Sequence, residues 1–245
     1  MTQYTVSIEQ VLGQDDSEIV GVLGAPVHRA IVAPFQALRD DADKAGFDLR
    51  IVSGYRSFDR QLAIWNAKAC GERALLDSDG KPVDFAALNN EQLAASILRW
   101  SALPGASRHH WGTDIDIYDA AAVADDYQVQ LTPQEVADDG VFGPFHHWLD
   151  EHFATGAGYG FFRPYCQDRG GIAPERWHLS YAPLAARFEA LLTPKVLAKA
   201  LDSSGLQLKQ TVLAQIDDIF QRYVAVPVDL YPSAYANRLA ESDLP

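Results

Sequence analysis

Two short segments of this chain hold the side chains needed to bind a metal ion and to hydrolyse with it. One is Ser107-Arg108-His109-His110-Trp111-Gly112-Thr113-Asp114-Ile115-Asp116; the other, far downstream, is Glu175-Arg176-Trp177-His178. Together they offer two imidazoles and a carboxylate as ligands, with one glutamate to spare. Three protein ligands and an open fourth position make a catalytic zinc site, whereas a structural site is closed by four. A spare carboxylate beside such a site is the natural base for an activated water. The chemistry these residues suggest is metal-assisted hydrolysis.

Their positions depend on the elements around them. In Thr113 to Asp119 the alternation predicts a strand, with Asp114, Asp116 and Tyr118 on one face and Ile115 and Ile117 on the other. Trp177-His178-Leu179-Ser180-Tyr181 reads as a second strand, Leu49 to Ser53 as a third, and Tyr4 to Ile8 as a fourth. Pro34, Phe35, Leu38, Ala42 and Ala45 mark a helix that Gly46 can stop. After the turn Gly54-Tyr55-Arg56, Ser57 can cap a helix with Phe58, Leu62 and Trp65 on one face. Residues 70–90 form a loop or hairpin excursion turning at Asp79-Gly80. Asn90 then opens a helix that Pro104-Gly105 breaks, Thr132-Pro133-Gln134-Glu135 is a capping box, and Trp148, Leu149 and Phe153 indicate another helix. Beyond Pro183 the pattern is helical: one helix is capped by Thr193 and stopped by Ser203-Ser204-Gly205, and a longer one carries Leu208, Val212, Ile216, Ile219 and Tyr223. The tail from Val228 has little periodicity.

A length of 245 residues suits one domain with an appendage, and 48% hydrophobic against 22% charged residues suits a soluble globular core. With 20 basic and 33 acidic residues the net charge of −13 repels phosphate backbones, so nucleic acid is not an expected partner. No apolar run approaches the roughly 18 residues of a membrane span. Met1 to Glu9 lack the basic and apolar regions of a signal peptide. The expected compartment is cytoplasmic, or periplasmic or extracytoplasmic if a leader has been removed. Cys70 and Cys166 are too few for a zinc knuckle or a disulfide framework and read as reduced, partly buried thiols, with a bridge between them as the minority alternative.

Four blocks in order carry a resemblance. Ser107-x-His109-x-x-Gly112-x-Asp114-x-Asp116 resembles the S-x-H-x-x-G-x-A-x-D signature of the D-alanyl-D-alanine metallopeptidases of the VanY/VanX type. Glu175-x-Trp177-His178 is similar to their second motif, Ser53-Gly54-Tyr55-Arg56-Ser57 with Gln61 to their N-terminal block, and Tyr159-Gly160-Phe161 to a common segment. The resemblance covers roughly residues 30–185. It implies a hedgehog/DD-peptidase-like α+β fold, a small mainly antiparallel sheet flanked by helices. Residues 1–185 would be the catalytic domain and 186–245 a helical extension packed on it. It further implies Zn2+ on His109, Asp116 and His178, with Glu175 as general base and Arg56 stabilising the oxyanion, a contribution on the order of 3 kcal/mol. Ser107 and Gln61 would touch substrate. His109 and Asp116 lie seven positions apart, so they do not share a helical face; a loop-to-strand connection must join them, with Gly112 allowing the tight turn. Asp114 departs from the family pattern, which has a small residue there. It could orient a ligand histidine from behind, or be the ligand itself with Asp116 behind it.

The implied function is a zinc carboxypeptidase or dipeptidase acting before a C-terminal D-alanine of a small peptide or muropeptide. Two alternatives keep the motifs: a cell-wall endopeptidase or L,D-carboxypeptidase with the same chemistry, and a zinc-stabilised interaction module of the hedgehog kind. A carboxypeptidase needs a closed pocket with a cation for the terminal carboxylate, and the 70–90 excursion and the C-terminal helices could close it. Nitrogen and oxygen ligands also admit other divalent ions. The remaining histidines, His28, His146, His147 and His152, read as ordinary core or surface residues, His110 as facing away from the ligands, and Trp111 and Trp177 as packing walls. The apolar stripe of 206–223 is most simply core packing, although the C-terminal helices could also pair copies into an oligomer.

Overall fold

The computed structural model describes residues 5–78 and 80–240. Its elements, in chain order, are α1 (Ile8–Val11), β1 (Ile19–Val20), β2 (Val27–His28), α2 (Val32–Lys44), β3 (Leu49–Ser53), α3 (Phe58–Ala69), α4 (Asn90–Leu98), β4 (Asp114–Asp119), α5 (Pro133–Val136), α6 (Gly143–Ala154), β5 (Phe161–Phe162), β6 (His178–Tyr181), α7 (Ala182–Leu191), α8 (Pro194–Asp202), α9 (Lys209–Ala214), α10 (Ile216–Ile219) and α11 (Ser233–Ala240). The fold is α+β. Four strands make one antiparallel sheet in the order β3-β4-β6-β5, and β1 and β2 pair in a small antiparallel ribbon.

The sheet's two faces differ in chemistry because β4 alternates. Ile115 and Ile117 point with Leu179 to one side, where Phe35 and Leu38 of α2 and Phe145 and Leu149 of α6 bury them. Each fully buried Leu, Ile or Phe there is worth about 1.5–3 kcal/mol. The opposite side carries Asp114 and Asp116, which face Ser180 and His178 across the β4–β6 ladder. Directly opposed residues on antiparallel strands have Cβ atoms about 5 Å apart, so the register alone sets Asp116 beside His178. A bulge between Ile51 and Ser53 brings Ser53 opposite Asp116 as well.

Local caps place most helices as expected. Ser57 Oγ accepts from Arg60 N at the start of α3, Asn89 forms a capping box with Gln92 ahead of α4, and Thr132 does so with Glu135 ahead of α5. Gly112 adopts φ +63° at the end of a 3-10 turn, Arg108–Trp111, and an added Cβ would lie 2.8 Å from the His28 backbone nitrogen. The turn between the two ligand-bearing segments therefore requires glycine.

Three expectations are corrected. Tyr4 lies outside the described residues, and the rest of the predicted first segment forms no strand: Ser7, itself extended, and Gln10 form a reciprocal capping box, which starts α1 at Ile8. The long C-terminal helix is broken at Gln215 into α9 and α10 and continues as a π turn, Phe220–Val224. That break turns Val212, Ile219, Phe220 and Tyr223 into the same core as Trp111, Phe188 and Leu197, so the stripe is buried within the chain. The tail forms a 3-10 turn, Val228–Leu230, and then α11, which packs on α7. The chain passes from 185 to 186 within α7. Cys70 and Cys166 are free and exposed rather than partly buried. Among the described residues no helix is long and apolar enough to cross a membrane.

Candidate metal centre and active cleft

His109 sits on the 3-10 turn before β4, Asp116 in the middle of β4, and His178 at the start of β6. All three are buried, and one donor atom from each lies within 4.8 Å of the others. His109 Nε2 is 3.3 Å from Asp116 Oδ2, and His178 Nδ1 is 3.2 Å from Asp116 Oδ1. Ligands on tetrahedral bonds of about 2.0–2.1 Å are separated by about 3.3 Å, so the two imidazole–carboxylate spacings are of the size an ion requires.

Each imidazole is held from behind. His109 Nδ1 lies 3.0 Å from the Gly54 carbonyl. A carbonyl only accepts, so Nδ1 carries the hydrogen and Nε2 presents a lone pair. Burial lowers the pKa of His109 and keeps it neutral, as a ligand must be. His178 Nε2 lies 3.1 Å from Asp114 Oδ1, which leaves Nδ1 for the metal. Of the two aspartates, Asp116 faces both imidazoles, while Asp114 stands behind His178, in the place of a carboxylate that orients a ligand histidine. Without metal, burial disfavours a charge on His178, but hydrogen bonds to Asp114 and Asp116 outweigh it and push its pKa up to about 9. His178 must release that proton to become a ligand. Burial also acts against the Asp116 carboxylate, yet His109 and His178 hold its pKa well below the usual range.

Glu175 reaches in from the loop before β6. Its N–H donates to the Tyr165 carbonyl at 2.9 Å and its own carbonyl accepts from His178 N at 3.1 Å. Its Oε2 is 3.6 Å from His178 Nδ1, beside the donor triad. Burial, reinforced by Asp116 and opposed by His178 and Arg56, raises its pKa to about 7. A carboxylate poised near neutral pH can both take up and give back a proton.

Arg56 is pinned through its backbone by the first motif: its N–H donates to the His109 carbonyl at 3.0 Å, and its carbonyl accepts from His110 Nδ1 at 2.6 Å. Its guanidinium donates to Gln61 Oε1 at 2.9 Å and Ser53 Oγ at 3.3 Å. Gln61 is fully buried, and its amide nitrogen donates to the Ala102 carbonyl. Expected as a substrate contact, Gln61 instead supports Arg56 from behind, because both ends of its amide are already bonded. Ser107 lines the cleft together with Arg56, His109, Asp116, Glu175 and His178. The cavity holds about 250 Å³ and is walled by Leu76, Trp100, Leu131, Tyr165, Ile172 and Trp177. Leu76 belongs to the 70–90 excursion, which is thus one wall; the C-terminal helices contribute no lining residue among those described.

The other histidines are elsewhere. His110 is neutral and buried, and accepts from Gly105 N. His28 accepts from Ala30 N, His147 is exposed beside Glu151, His152 lies near Asp41, and His146 is buried against Arg163.

A model of the VanY family, described as D-alanyl-D-alanine carboxypeptidase, matches residues 25–184. The chain belongs to this family. VanY-family relatives include a D-alanyl-D-alanine carboxypeptidase of Enterococcus faecalis, 27% identical over 188 residues, which make up 75% of this chain and 55% of that protein. Two uncharacterized proteins of Haemophilus influenzae are 49% identical over 72 residues (29% of this chain, 49% of that protein) and 29% identical over 124 residues (50% and 92%). The chain thus spans about half the length of two of these three relatives. Among solved structures, VanYB in complex with D-alanine-D-alanine aligns with TM-score 0.49 at 23% identity, covering 78% of this chain and 91% of that one. A VanB-type D,D-pentapeptidase VanY in complex with Zn(II) aligns with TM-score 0.46 at 25% identity, covering 80% and 89%.

Two features of this VanY-family site escaped the motif reading. Lys68 Nζ donates to Ser101 Oγ at 2.7 Å, and Ser101 lines the cleft. Burial, with Arg73 and Arg56 nearby, lowers the Lys68 pKa to about 8. Its signal was its place on α3, two turns beyond Gln61 on the same face. The second is Arg108, whose buried side chain donates to Asp114 Oδ1 at 2.7 Å. Nothing in the motif spacing distinguishes it from a solvated arginine.

Proposed function

We propose that this chain is a zinc-dependent carboxypeptidase that hydrolyses the peptide bond before a C-terminal D-alanine in peptidoglycan-type peptides. The observation that carries the reading is the convergence of His109, Asp116 and His178 with Glu175 and Arg56 in one cleft, in a chain of the VanY family. Zinc held by the three ligands would supply Lewis acidity to a water and to the scissile carbonyl. Glu175 takes the proton from the attacking water on its carboxylate and returns it to the leaving amine nitrogen. Arg56, fixed by Gln61 and Ser53, aims its guanidinium at the oxygen on which negative charge develops. Ser107 contributes to the cleft wall beside them.

An exopeptidase must also recognise a free carboxylate. Lys68 supplies the cation: it has no ion-pair partner among the described residues, and its ammonium donates to Ser101 Oγ, which lines the cleft. The small, walled cavity likewise suits a chain end better than a continuous strand of substrate. The relatives named above support D-alanyl-D-alanine as the substrate class.

Mass spectrometry of the zinc-loaded chain with a peptide panel tests this. Free D-alanine is expected from peptides ending in D-Ala-D-Ala, with no release from those ending in L-alanine. Internal cuts without D-alanine release would replace the reading by an endopeptidase. Cleavage restricted to an L,D bond would replace it by an L,D-carboxypeptidase, and zinc binding without any cleavage would favour an interaction module. In the same assay Lys68→Met is expected to raise KM about tenfold, equivalent to about 1.4 kcal/mol, with kcat nearly unchanged. The difference should vanish on C-terminally amidated peptides.

A further inference from the structure

A chain of buried polar contacts runs from the metal ligand His178 into the C-terminal segment, beyond the residues that match the family. Asp114 Oδ1 accepts from both His178 Nε2 at 3.1 Å and Arg108 Nε at 2.7 Å. Arg108 spends the rest of its guanidinium on Ser180 Oγ at 2.8 Å, Glu189 Oε2 at 2.7 Å and Tyr231 Oη at 3.1 Å. The Tyr231 hydroxyl in turn donates to Glu189 Oε2, and Glu189 Oε1 accepts from the Val226 N–H at 2.6 Å. The side chain of Arg108 is 2% exposed and that of Asp114 0%. Trp111 lies under the guanidinium at 4.5 Å, and Phe162 packs on the Tyr231 ring.

We infer that Tyr231 is a positioning residue for the metal centre, acting through Glu189, Arg108 and Asp114 on His178. The inference rests on the proposed metal site. Arg108 is a planar fork that can hold Asp114 in one orientation only while its other edge is also held. Glu189 and Tyr231 hold that edge. With the tyrosine hydroxyl removed, Glu189 loses a donor and the buried Arg108 an acceptor. The fork is then freer to turn, and Asp114 directs the His178 imidazole less firmly. The segment after Val226 is therefore part of the site's apparatus, although none of its described residues lines the cleft.

Zinc affinity, measured by competition with a chromophoric chelator at fixed neutral pH, tests the inference without reference to peptidase activity. Tyr231→Phe keeps the ring and its packing on Phe162, and should weaken zinc about tenfold, the lower end of the range for outer partners of metal ligands. In an Asp114→Ala background the same change should have little further effect, because the oxygen that joins Arg108 to His178 is gone. A core variant at a residue that makes none of these polar contacts, Leu201→Ala, should lower the melting temperature while leaving zinc affinity unchanged. Zinc affinity of Tyr231→Phe within twofold of the native value, or an equal loss with and without Asp114, would overturn the inference while leaving the metal site standing. Absence of zinc binding by the native chain would overturn the metal site and this inference together.

Discussion

Glu175→Gln is expected to bind zinc as tightly as the native chain and to turn over roughly 10³-fold more slowly, within the range that general acid–base catalysis contributes. The amide keeps the size and polarity of the side chain, and Glu175 stands beside the three donors rather than among them. The metal site is therefore intact, but no group remains that can accept a proton from water and hand it on. Because the buried carboxyl titrates near pH 7, activity of the native chain should rise with pH through neutrality as Glu175 ionises; that limb should be missing from the residual activity of the variant. Metal analysis beside kcat and KM checks the claim. A loss appearing mainly in KM, or a loss of zinc, would remove Glu175 from the proposed role.

Asp116→Ala is expected to weaken zinc more than about 10³-fold, beyond the 10–100-fold typical of an outer partner, and to abolish turnover. Asp116 lies between the two imidazoles, with one carboxylate oxygen toward each. Its removal also changes the metal-free protein. In the native chain His178 holds its proton up to about pH 9, against an ordinary value of 6.5. Between those values the folded state binds a proton that the unfolded chain has released, so stability falls as pH rises from 6.5 to 9. Without Asp116 His178 loses one of its two supporting carboxylates, and this dependence should flatten. Urea denaturation in the presence of a chelator, at pH 7 and pH 9, measures it; equal pH dependence in the two proteins would refute the role given to Asp116.

Much of the site was legible before the structure because its chemistry is concentrated in short runs. The spacing from Ser107 to Asp116 and from Glu175 to His178 names the candidate donors and base that the fold brings together, and Gly112 marks the turn between His109 and Asp116. The strands also read correctly where one face is apolar, as at Ile115, Ile117 and Leu179. Local reading failed where two local preferences competed. At residues 4–8 β-propensity favoured a strand, but the capping box of Ser7 and Gln10 satisfied backbone donors that a strand would have left to a partner. At Gln215 the helical stripe continues in sequence, yet the helix breaks there, and Phe220 and Tyr223 beyond the break are buried in the core.

The identity of the donors, the presence of a spare carboxylate and the alternation that sets Asp114 and Asp116 on one face were determined by the sequence itself. These depend on residue type and on the two-residue period of a strand. Which aspartate faces both imidazoles was decided only by the antiparallel register of β4 and β6, which sets Asp116 opposite His178 and Asp114 opposite Ser180. The partners of Arg56, Lys68 and Arg108 were likewise decided by packing. Arg108 and Tyr231, for example, stand 123 positions apart in the chain. A buried charge is stable only where the whole fold closes a partner over it, and no local pattern specifies which distant residue that partner is.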